Sequence, residues 1–386
     1  RNIAPFTIYI DFLKDYRLPI EKCKIPGKTR IVSVAPVQTC IDFRRYCTDY
    51  TAAYKANRIK MEHGIGINPD SMEWTDLVKY LHEVGTTIVC GDYSNYGPNL
   101  SSAVVYRANQ NMKKWYEFHD ADPDHVRRIG WIMDNEILSP VHLCEDVVYK
   151  VNNGIASGSP ITGEHNSEPN KMYIRLMWLY IMRRHRPDLA TMAAFRQHVR
   201  VVVYGDDIII CVSDEVKELF NLVTISAMFK EYGITFTGIT KDDKMIPYTS
   251  IFEAQFLKRG FALHPKRPGV FLAPVDVNSI QECINWCHVC DDITEATLEV
   301  CRASMDLAYS HGPEFYNNHR DRIQKELSRM GIGFECKSWM ERDNEIFGES
   351  LITEGLSEDT PHIKLETKAS WFMERFSDPG GTGTAK

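Results

Sequence analysis

No apolar run in this chain approaches the ~18 residues needed to cross a bilayer. The longest candidates, Val201–Tyr204 and Ile208–Val212, are strand-sized. The N-terminus, Arg1-Asn2-Ile3-Ala4-Pro5, has neither an apolar signal core nor an initiator Met, so a piece excised from a longer chain is expected. Internal repeats and low-complexity tracts are absent. So is a paired cysteine framework: the 11 Cys are odd in number and scattered singly from Cys23 to Cys336, which suits a reducing compartment. Positive charge is in short supply. Lys and Arg total 45 against 52 Asp and Glu, a net charge of −7, and as a bulk number this argues against a nucleic-acid binder. What is present is ordinary for a folded protein: 44% hydrophobic and 25% charged residues exclude a disordered chain or a collagen. A length of 386 residues fits two or three lobes, or one large elaborated domain.

The charge is unevenly spread. Residues 1–60 hold 12 Lys or Arg and five Asp or Glu, a local balance of +7, leaving −14 for the rest. By itself this reads most plainly as a solvated basic face. Cys283, Cys287, His288 and Cys290, with Cys301 beyond, invite a zinc reading, since Cys287 and Cys290 have the gap of a zinc knuckle. Ser279–Val289 nevertheless reads as a helix with Ile280, Cys283, Ile284 and Cys287 on one face, and no second ligand pair follows. A structural helix is therefore expected there.

Lys22–Val34 reads as a hairpin pinned by Pro26-Gly27, and Cys40–Ala56 as a helix. Thr86–Asp92 is a buried strand running into a turn, and Leu100–Phe118 a helix. A loop, Gly154-Ile155-Ala156-Ser157-Gly158-Ser159-Pro160, precedes a long helix over about Asn170–Arg184. His198–Tyr204 and Ile208–Val212 form a tight hairpin. Asp214–Tyr232 is predicted helical, Ile251–Phe256 and Gly269–Leu272 stranded, and Ser279–Met330 mostly helical. Antiparallel strand pairs with helices between them predict an α+β core.

The carboxylates carry the chemistry. Tyr204-Gly205-Asp206-Asp207 puts two acids at a hairpin tip, where like charges repel unless something offsets them. A divalent cation would; an ordinary Asp-rich turn is the plainer alternative. Gly205 permits the positive φ that a two-residue turn needs. Asp92 ends an apolar strand in the same way. If that strand lies beside the hairpin, Asp92 and Asp206 meet, with Asp207 as a weaker ligand. Two hard carboxylates suit Mg²⁺, which keeps waters and uses substrate phosphate oxygens. A pair of such ions points to nucleotidyl transfer.

Several motifs, in order, resemble those of viral RNA-dependent RNA polymerases of the picornavirus-like group, and an arthropod virus of iflavirus or dicistrovirus type is expected. Asp92 in Gly91-Asp92-Tyr93-Ser94-Asn95-Tyr96 resembles the first catalytic aspartate. Ser157-Gly158, Thr162, Asn166 and Asn170 match Ser-Gly-x3-Thr-x3-Asn-x3-Asn, and Tyr204–Asp207 carries Gly-Asp-Asp. Lys241 matches the lysine of the next motif, with Lys244 as an alternative. Phe256-Leu257-Lys258-Arg259 resembles the primer grip, and Lys14-Asp15 with Gly27-Lys28-Thr29-Arg30 the basic finger motif. Lys22 and Lys24 flank a position where the family often has another Lys, here Cys23.

The resemblance implies a right-hand α+β polymerase with an antiparallel palm sheet. Its expected parts are fingers over 1–50, palm over 51–127, a fingers insertion over 128–152, palm again over 153–259, a thumb over 260–350 and a flexible tail over 351–386. Glu354-Gly355 in that tail resembles a protease junction, against a simple flexible end. Asp92, Asp206 and Asp207 would hold Mg²⁺, or Mn²⁺ in its place. Lys14, Lys28 and Arg30 would meet the nucleotide phosphates, and Lys241 would protonate the leaving pyrophosphate. Ser157 and Gly158 would form a mobile loop, Asn166 would hydrogen-bond the ribose 2′-hydroxyl, and Thr162 would belong to the same nucleotide site; the plainer alternative is that Thr162 and Asn166 satisfy helix-terminal backbone groups. Leu257, Lys258 and Arg259 would grip the primer. The implied partners are an RNA template, the primer and product duplex, NTPs, a protein primer and other viral replication proteins. The implied setting is the host cytoplasm, at membrane-associated replication complexes.

Two departures stand out. Where most of the family has a second Asp five positions after the first, this chain has Gly97, which puts sugar selection in question. The chain also starts close to the basic motif, so a preceding finger segment is expected to be missing. A reverse transcriptase and a non-catalytic RNA-binding fragment are the rival readings.

Overall fold

The computed structural model describes residues 7–16, 18–239, 245–287 and 290–348. The chain divides into two compact units: Tyr80–Thr249 with the chain up to Gly66, and Ile67–Lys79 with the chain from Ser250 on. Strands β1 (Ile8–Leu13), β2 (Ile31–Val34), β3 (Thr87–Tyr93), β4 (Val141–Cys144), β5 (Val147–Lys150), β6 (Val199–Tyr204), β7 (Asp207–Val212), β8 (Phe236–Thr237), β9 (Ala262–Leu263) and β10 (Phe271–Leu272) form three sheets.

The central sheet of the first unit has the order β6-β7-β3-β8, all antiparallel. Its strands are near-continuous β-branched runs (Val-Arg-Val-Val-Val, Ile-Ile-Ile), the pattern of strands buried on both faces. On one face Val89, Val201, Val203, Ile208 and Ile210 pack with Ile174, Met177, Trp178 and Ile181 of the long helix Thr162–His185 and with Phe229 of the helix Leu222–Glu231. The alternate residues Ile88, Val202, Ile209 and Cys211 are buried too. At the β8 edge Tyr93 pairs with Phe236, and the Phe236 ring lies over Gly91. A Cβ on Gly91 would sit 2.1 Å from the ring's Cζ, so only glycine lets β8 close on β3.

The second sheet, β2-β1-β4-β5, is antiparallel except for the parallel pair β1–β4. Its inner face carries Tyr9, Asp11, Ser33 and His142. Asp11 accepts hydrogen bonds from His142 Nδ1 (3.0 Å) and from the Tyr149 hydroxyl. Burial alone would raise its pKa, but the bonds from Ser33, Tyr149 and His142 outweigh that and hold the carboxyl below its ordinary range. Tyr9 packs with Ala35 and Ala156, which brings this sheet onto the loop before the long helix.

In the second unit the helices Val277–Cys283, Ile293–Ala308, Gly312–Arg329 and Trp339–Phe347 enclose one core. Asp343 is fully buried within it. Its carboxylate accepts from His264 Nε2 and the Tyr309 hydroxyl (each 2.6 Å) and from Arg267 Nε and Nη2 (3.0 and 2.7 Å), which is how a buried charge is tolerated.

The α+β expectation holds, and several local expectations need correcting. β2 pairs not within Lys22–Val34 but with the upstream β1, in the register Ile10↔Val34 to Leu13↔Ile31. Gly27 does turn the chain (φ 76°), inside the long connection between the two strands. The long helix begins at Thr162, with Pro169 inside it. Proline reads as a boundary because it lacks an N–H, but here it forgoes only one bond of a helix anchored on both sides. The helix expected over Asp214–Tyr232 is confined to Leu222–Glu231, because Asn221, extended at φ −142°, caps it by accepting from the Val223 and Thr224 N–H groups. Ile251–Phe256 is a series of turns, tied by Glu253 N–H to Ser250 C=O and Ala254 N–H to Ile251 C=O. The helix expected over Ser279–Val289 stops at Cys283. His288 lies outside the described residues, among which no group of three or more His, Cys, Asp or Glu is arranged to hold a metal ion.

Gly91→Ala is expected to lower stability by about 1–3 kcal/mol through overpacking against Phe236, read as a fall in melting temperature. An unchanged melting temperature would contradict the Gly91–Phe236 account.

Candidate active site

Sheet register sets Asp92 beside the hairpin that carries Asp206 and Asp207. β3 pairs β7 from Thr87↔Val212 to Gly91↔Ile208, and one further step sets Asp92 level with Asp207. β7 pairs β6 through Tyr204↔Asp207, leaving Gly205 and Asp206 as a two-residue hairpin loop. Gly205 has φ +64° and Asp206 is not among the positive-φ residues, the pattern of a type II′ turn, in which glycine takes the first central position. Asp92 and Asp206 are exposed and Asp207 is half-buried. Asp92 also pairs with Thr237 of β8, which fixes its strand on the other side.

The long helix holds the turn from behind. The Gly205 N–H donates to Ser167 Oγ (2.9 Å), and Asn170 Nδ2 donates to the carbonyls of Gly205 (2.9 Å) and Asp206 (3.2 Å). Asn170 Oδ1 accepts from the hydroxyl of Tyr93, the neighbour of Asp92 (3.0 Å). The Tyr96 hydroxyl donates to the Asn166 carbonyl (2.7 Å). Burial, then neighbouring tyrosines and Asp206, push the Tyr93 and Tyr96 pKa values far up, so both phenols stay protonated and can donate. His165, buried beside Asn166, has its pKa pushed down to about 4 by burial and is neutral.

Thr162 turns its hydroxyl toward the carbonyls of Ala156, Ser157 and Ser159, the nearest at 2.7 Å, and so secures the loop. Ser157 and Gly158 dock on β2: Ser33 N–H donates to Ser157 Oγ (3.1 Å) and Gly158 N–H to Ser33 C=O (2.8 Å). Gly158 is required by closeness, since a Cβ there would lie 2.3 Å from the Ser33 carbonyl oxygen. Asn166 Oδ1 is buried without a hydrogen-bond partner. Lys14, Lys28 and Arg30 are exposed on the β1–β2 connection, whose base is closed by Lys14 N–H to Arg30 C=O (2.8 Å). At Gly97 a Cβ would meet nothing within 4 Å, while a Cβ on Gly154 would lie 2.6 Å from the Gly97 carbonyl, so the Gly154 loop braces the turn after Asp92.

In the second unit, Phe256 and Arg259 exchange backbone hydrogen bonds (3.0 Å each) around Leu257 and Lys258, at φ 55° and 59°. Left-handed backbone at two non-glycine residues is costly, and the surroundings enforce it. Arg259 Nη1 donates to the Ala273 carbonyl (2.9 Å) and pairs with Asp70 (3.3 Å), while Trp74 stacks on Phe261 and donates to Gly260 C=O. Arg259 thus holds the turn that presents the exposed Lys258. Lys241 and Lys244 lie outside the described residues. The reading from sequence gave no role to Tyr93, Tyr96 or Ser167, and matched Asn170 as a motif position without assigning it one. Helical spacing could have found Ser167, which lies three positions before Asn170 on one face.

The sequence matches the family described as viral RNA-dependent RNA polymerase over residues 4–330. The chain belongs to that family. It is 43% identical over 346 residues to the genome polyprotein of Deformed wing virus, covering 89% of this chain and 12% of that one. It is 30% identical over 338 residues to the replicase polyprotein of Cricket paralysis virus (86% of this chain, 19% of the other) and 33% over 309 residues to that of Acute bee paralysis virus (78% and 16%). The chain therefore spans under a fifth of the length of these relatives. The fold is similar to that of a Sicinivirus 3Dpol RNA-dependent RNA polymerase, with a TM-score of 0.73 at 19% identity over 90% of this chain and 68% of that one. The picornavirus-like family and the right-hand polymerase fold expected from the sequence are borne out by these matches.

Gly158→Ala is expected to lift the loop from β2, losing two hydrogen bonds worth together about 1–3 kcal/mol. Deuterium uptake at the Ser33 and Gly158 amides should rise. Unchanged uptake would contradict the docking.

Proposed function

We propose that this polymerase chain carries out template-directed RNA synthesis, adding NTPs to an RNA 3′-hydroxyl with the help of two divalent cations, in the replication of a viral RNA genome. The observation that carries this reading is the register that sets Asp92 level with the Gly205–Asp207 hairpin. The donor set fits Mg²⁺, or Mn²⁺: exposed carboxylate oxygens at adjacent strand ends, for an ion that takes one or two protein carboxylates and fills its shell with water and phosphate oxygens. Bound there, the cations would supply acidification of the primer hydroxyl and neutralisation of the triphosphate.

The chain's own groups then divide the work. Asp92 and Asp206 hold the charge at the reacting atoms, and Asp207 adds a carboxylate from the first position of β7. Arg30 offers a planar fork to phosphate oxygens, with Lys28 and Lys14 as point charges. The 3′-hydroxyl gives up its proton to solvent water, its oxygen bonds to the α-phosphorus, the bond from the α-phosphorus to the bridging oxygen of the β-phosphate breaks, and Lys241 gives a proton to the departing pyrophosphate. The side-chain carbonyl of Asn166, buried without a partner, suits a ribose 2′-hydroxyl as donor. Lys258, exposed at its turn, would meet the primer backbone. The same reading proposes a protein primer and other viral replication proteins as partners, at membrane-associated complexes in the host cytoplasm. Among the described residues no helix is long and apolar enough to cross a membrane.

The test is primer extension on an RNA template with Mg²⁺. NTP incorporation is expected, and Asp206→Ala should abolish it, a loss of at least about 10²-fold. RNA binding without extension would contradict the reading and favour a non-catalytic fragment; preference for dNTPs would favour a reverse transcriptase. Because a side chain at Gly97 has open space, Gly97→Asp is expected to fold, to keep catalysis and to shift the NTP-to-dNTP preference. A preference unchanged within error would show that Gly97 plays no part in sugar selection.

A further inference from the structure

From the contacts behind the hairpin we infer that Asn170 is a positioning residue, a latch that locks the Gly205–Asp206 turn to β3 through Tyr93 and so sets the spacing of Asp92 and Asp206. It rests on the polymerase reading above and concerns how the cation-binding carboxylates are held. The chemistry fixes the latch in one orientation. Both partners of Asn170 on the turn side are backbone carbonyls, which only accept, so its amide nitrogen must face them. Its oxygen then faces Tyr93, whose phenol donates. Asn170 is fully buried, so no water replaces any of these bonds.

The geometry makes the coupling specific. Asp206 is the exposed member of a two-residue loop, and three backbone groups around it are held by one helix: Gly205 N–H by Ser167, and Gly205 C=O and Asp206 C=O by Asn170. Ser167 keeps its own hydroxyl hydrogen on the Gly163 carbonyl (2.8 Å), leaving an oxygen lone pair for Gly205. Asp92 is bonded to Tyr93 through the chain, and Tyr93 reaches the same amide. A shift of the turn therefore breaks the link to β3, and a shift of β3 breaks the link to the turn. Loss of the Tyr93 hydroxyl would leave the amide held on one side only. An aspartate at 170 would set carboxylate oxygens against two carbonyl oxygens.

Two variants test this in the full chain, Tyr93→Phe, which keeps the ring in its aromatic cluster, and Asn170→Asp, which keeps the shape. Two quantities are measured: the kcat and KM for NTP in primer extension, and Mn²⁺ affinity without NTP, by electron paramagnetic resonance. For Tyr93→Phe, kcat should fall about tenfold or more with KM for NTP little changed. Mn²⁺ affinity should weaken by about 10- to 100-fold, as when an outer partner of a ligand is lost. Asn170→Asp should show the same pattern, at least as strongly. Should Asn170→Asp fail to fold, Tyr93→Phe decides alone. Wild-type kcat and Mn²⁺ affinity in Tyr93→Phe would overturn the latch, as would a fall in kcat with Mn²⁺ affinity unchanged. A wild-type chain that neither extends a primer nor binds Mn²⁺ would instead overturn the polymerase reading itself.

Discussion

Everything in the site depends on one constraint: carboxylates that repel each other must be held at the ends of adjacent strands. The antiparallel register of β3 with β7 sets Asp92 level with Asp207, and the II′ turn at Gly205 delivers Asp206 beside them. Hydrogen bonds from the long helix keep that turn from relaxing outward. The stability of the sheet, built from buried β-branched residues on both faces, is what opposes the electrostatic cost. A cation placed against the exposed oxygens would turn the cost into binding energy.

The loop from Gly154 to Ile161 links the parts of the first unit. It braces the Gly97 turn at one end, docks on β2 in the middle and is tied by Thr162 at the start of the long helix. The basic connection of Lys14, Lys28 and Arg30 and the aspartate turn are thus joined by a continuous run of backbone and side-chain contacts. On the proposed reading, a chain of net charge −7 would meet phosphates through the basic residues of that connection, while part of its negative charge lies at the aspartate turn.

Much of this was legible in the sequence, and for identifiable reasons. The hairpin at Gly205 and the buried strand that carries Asp92 near its end depend on local residue types, and they emerged as expected. The partner of β2 did not, because a strand at Ile8–Leu13 pairs across a connection that the local turn at Pro26-Gly27 masks. The start of the long helix was hidden by Pro169, and the turns of 251–256 by their apolar content. Tyr93 and Asn170 were visible as letters, but their roles required knowing that β3 and the helix meet behind the turn. The left-handed pair Leu257-Lys258 carries no glycine or asparagine to announce it, since surrounding contacts impose it.

The most direct test of the central claim is anomalous diffraction from crystals of the chain with Mn²⁺, a primer–template and a non-hydrolysable NTP. The account predicts Mn²⁺ density between the carboxylates of Asp92 and Asp206, in contact with the triphosphate. Mn²⁺ bound away from this pair, or no density there with the NTP in place, would contradict it.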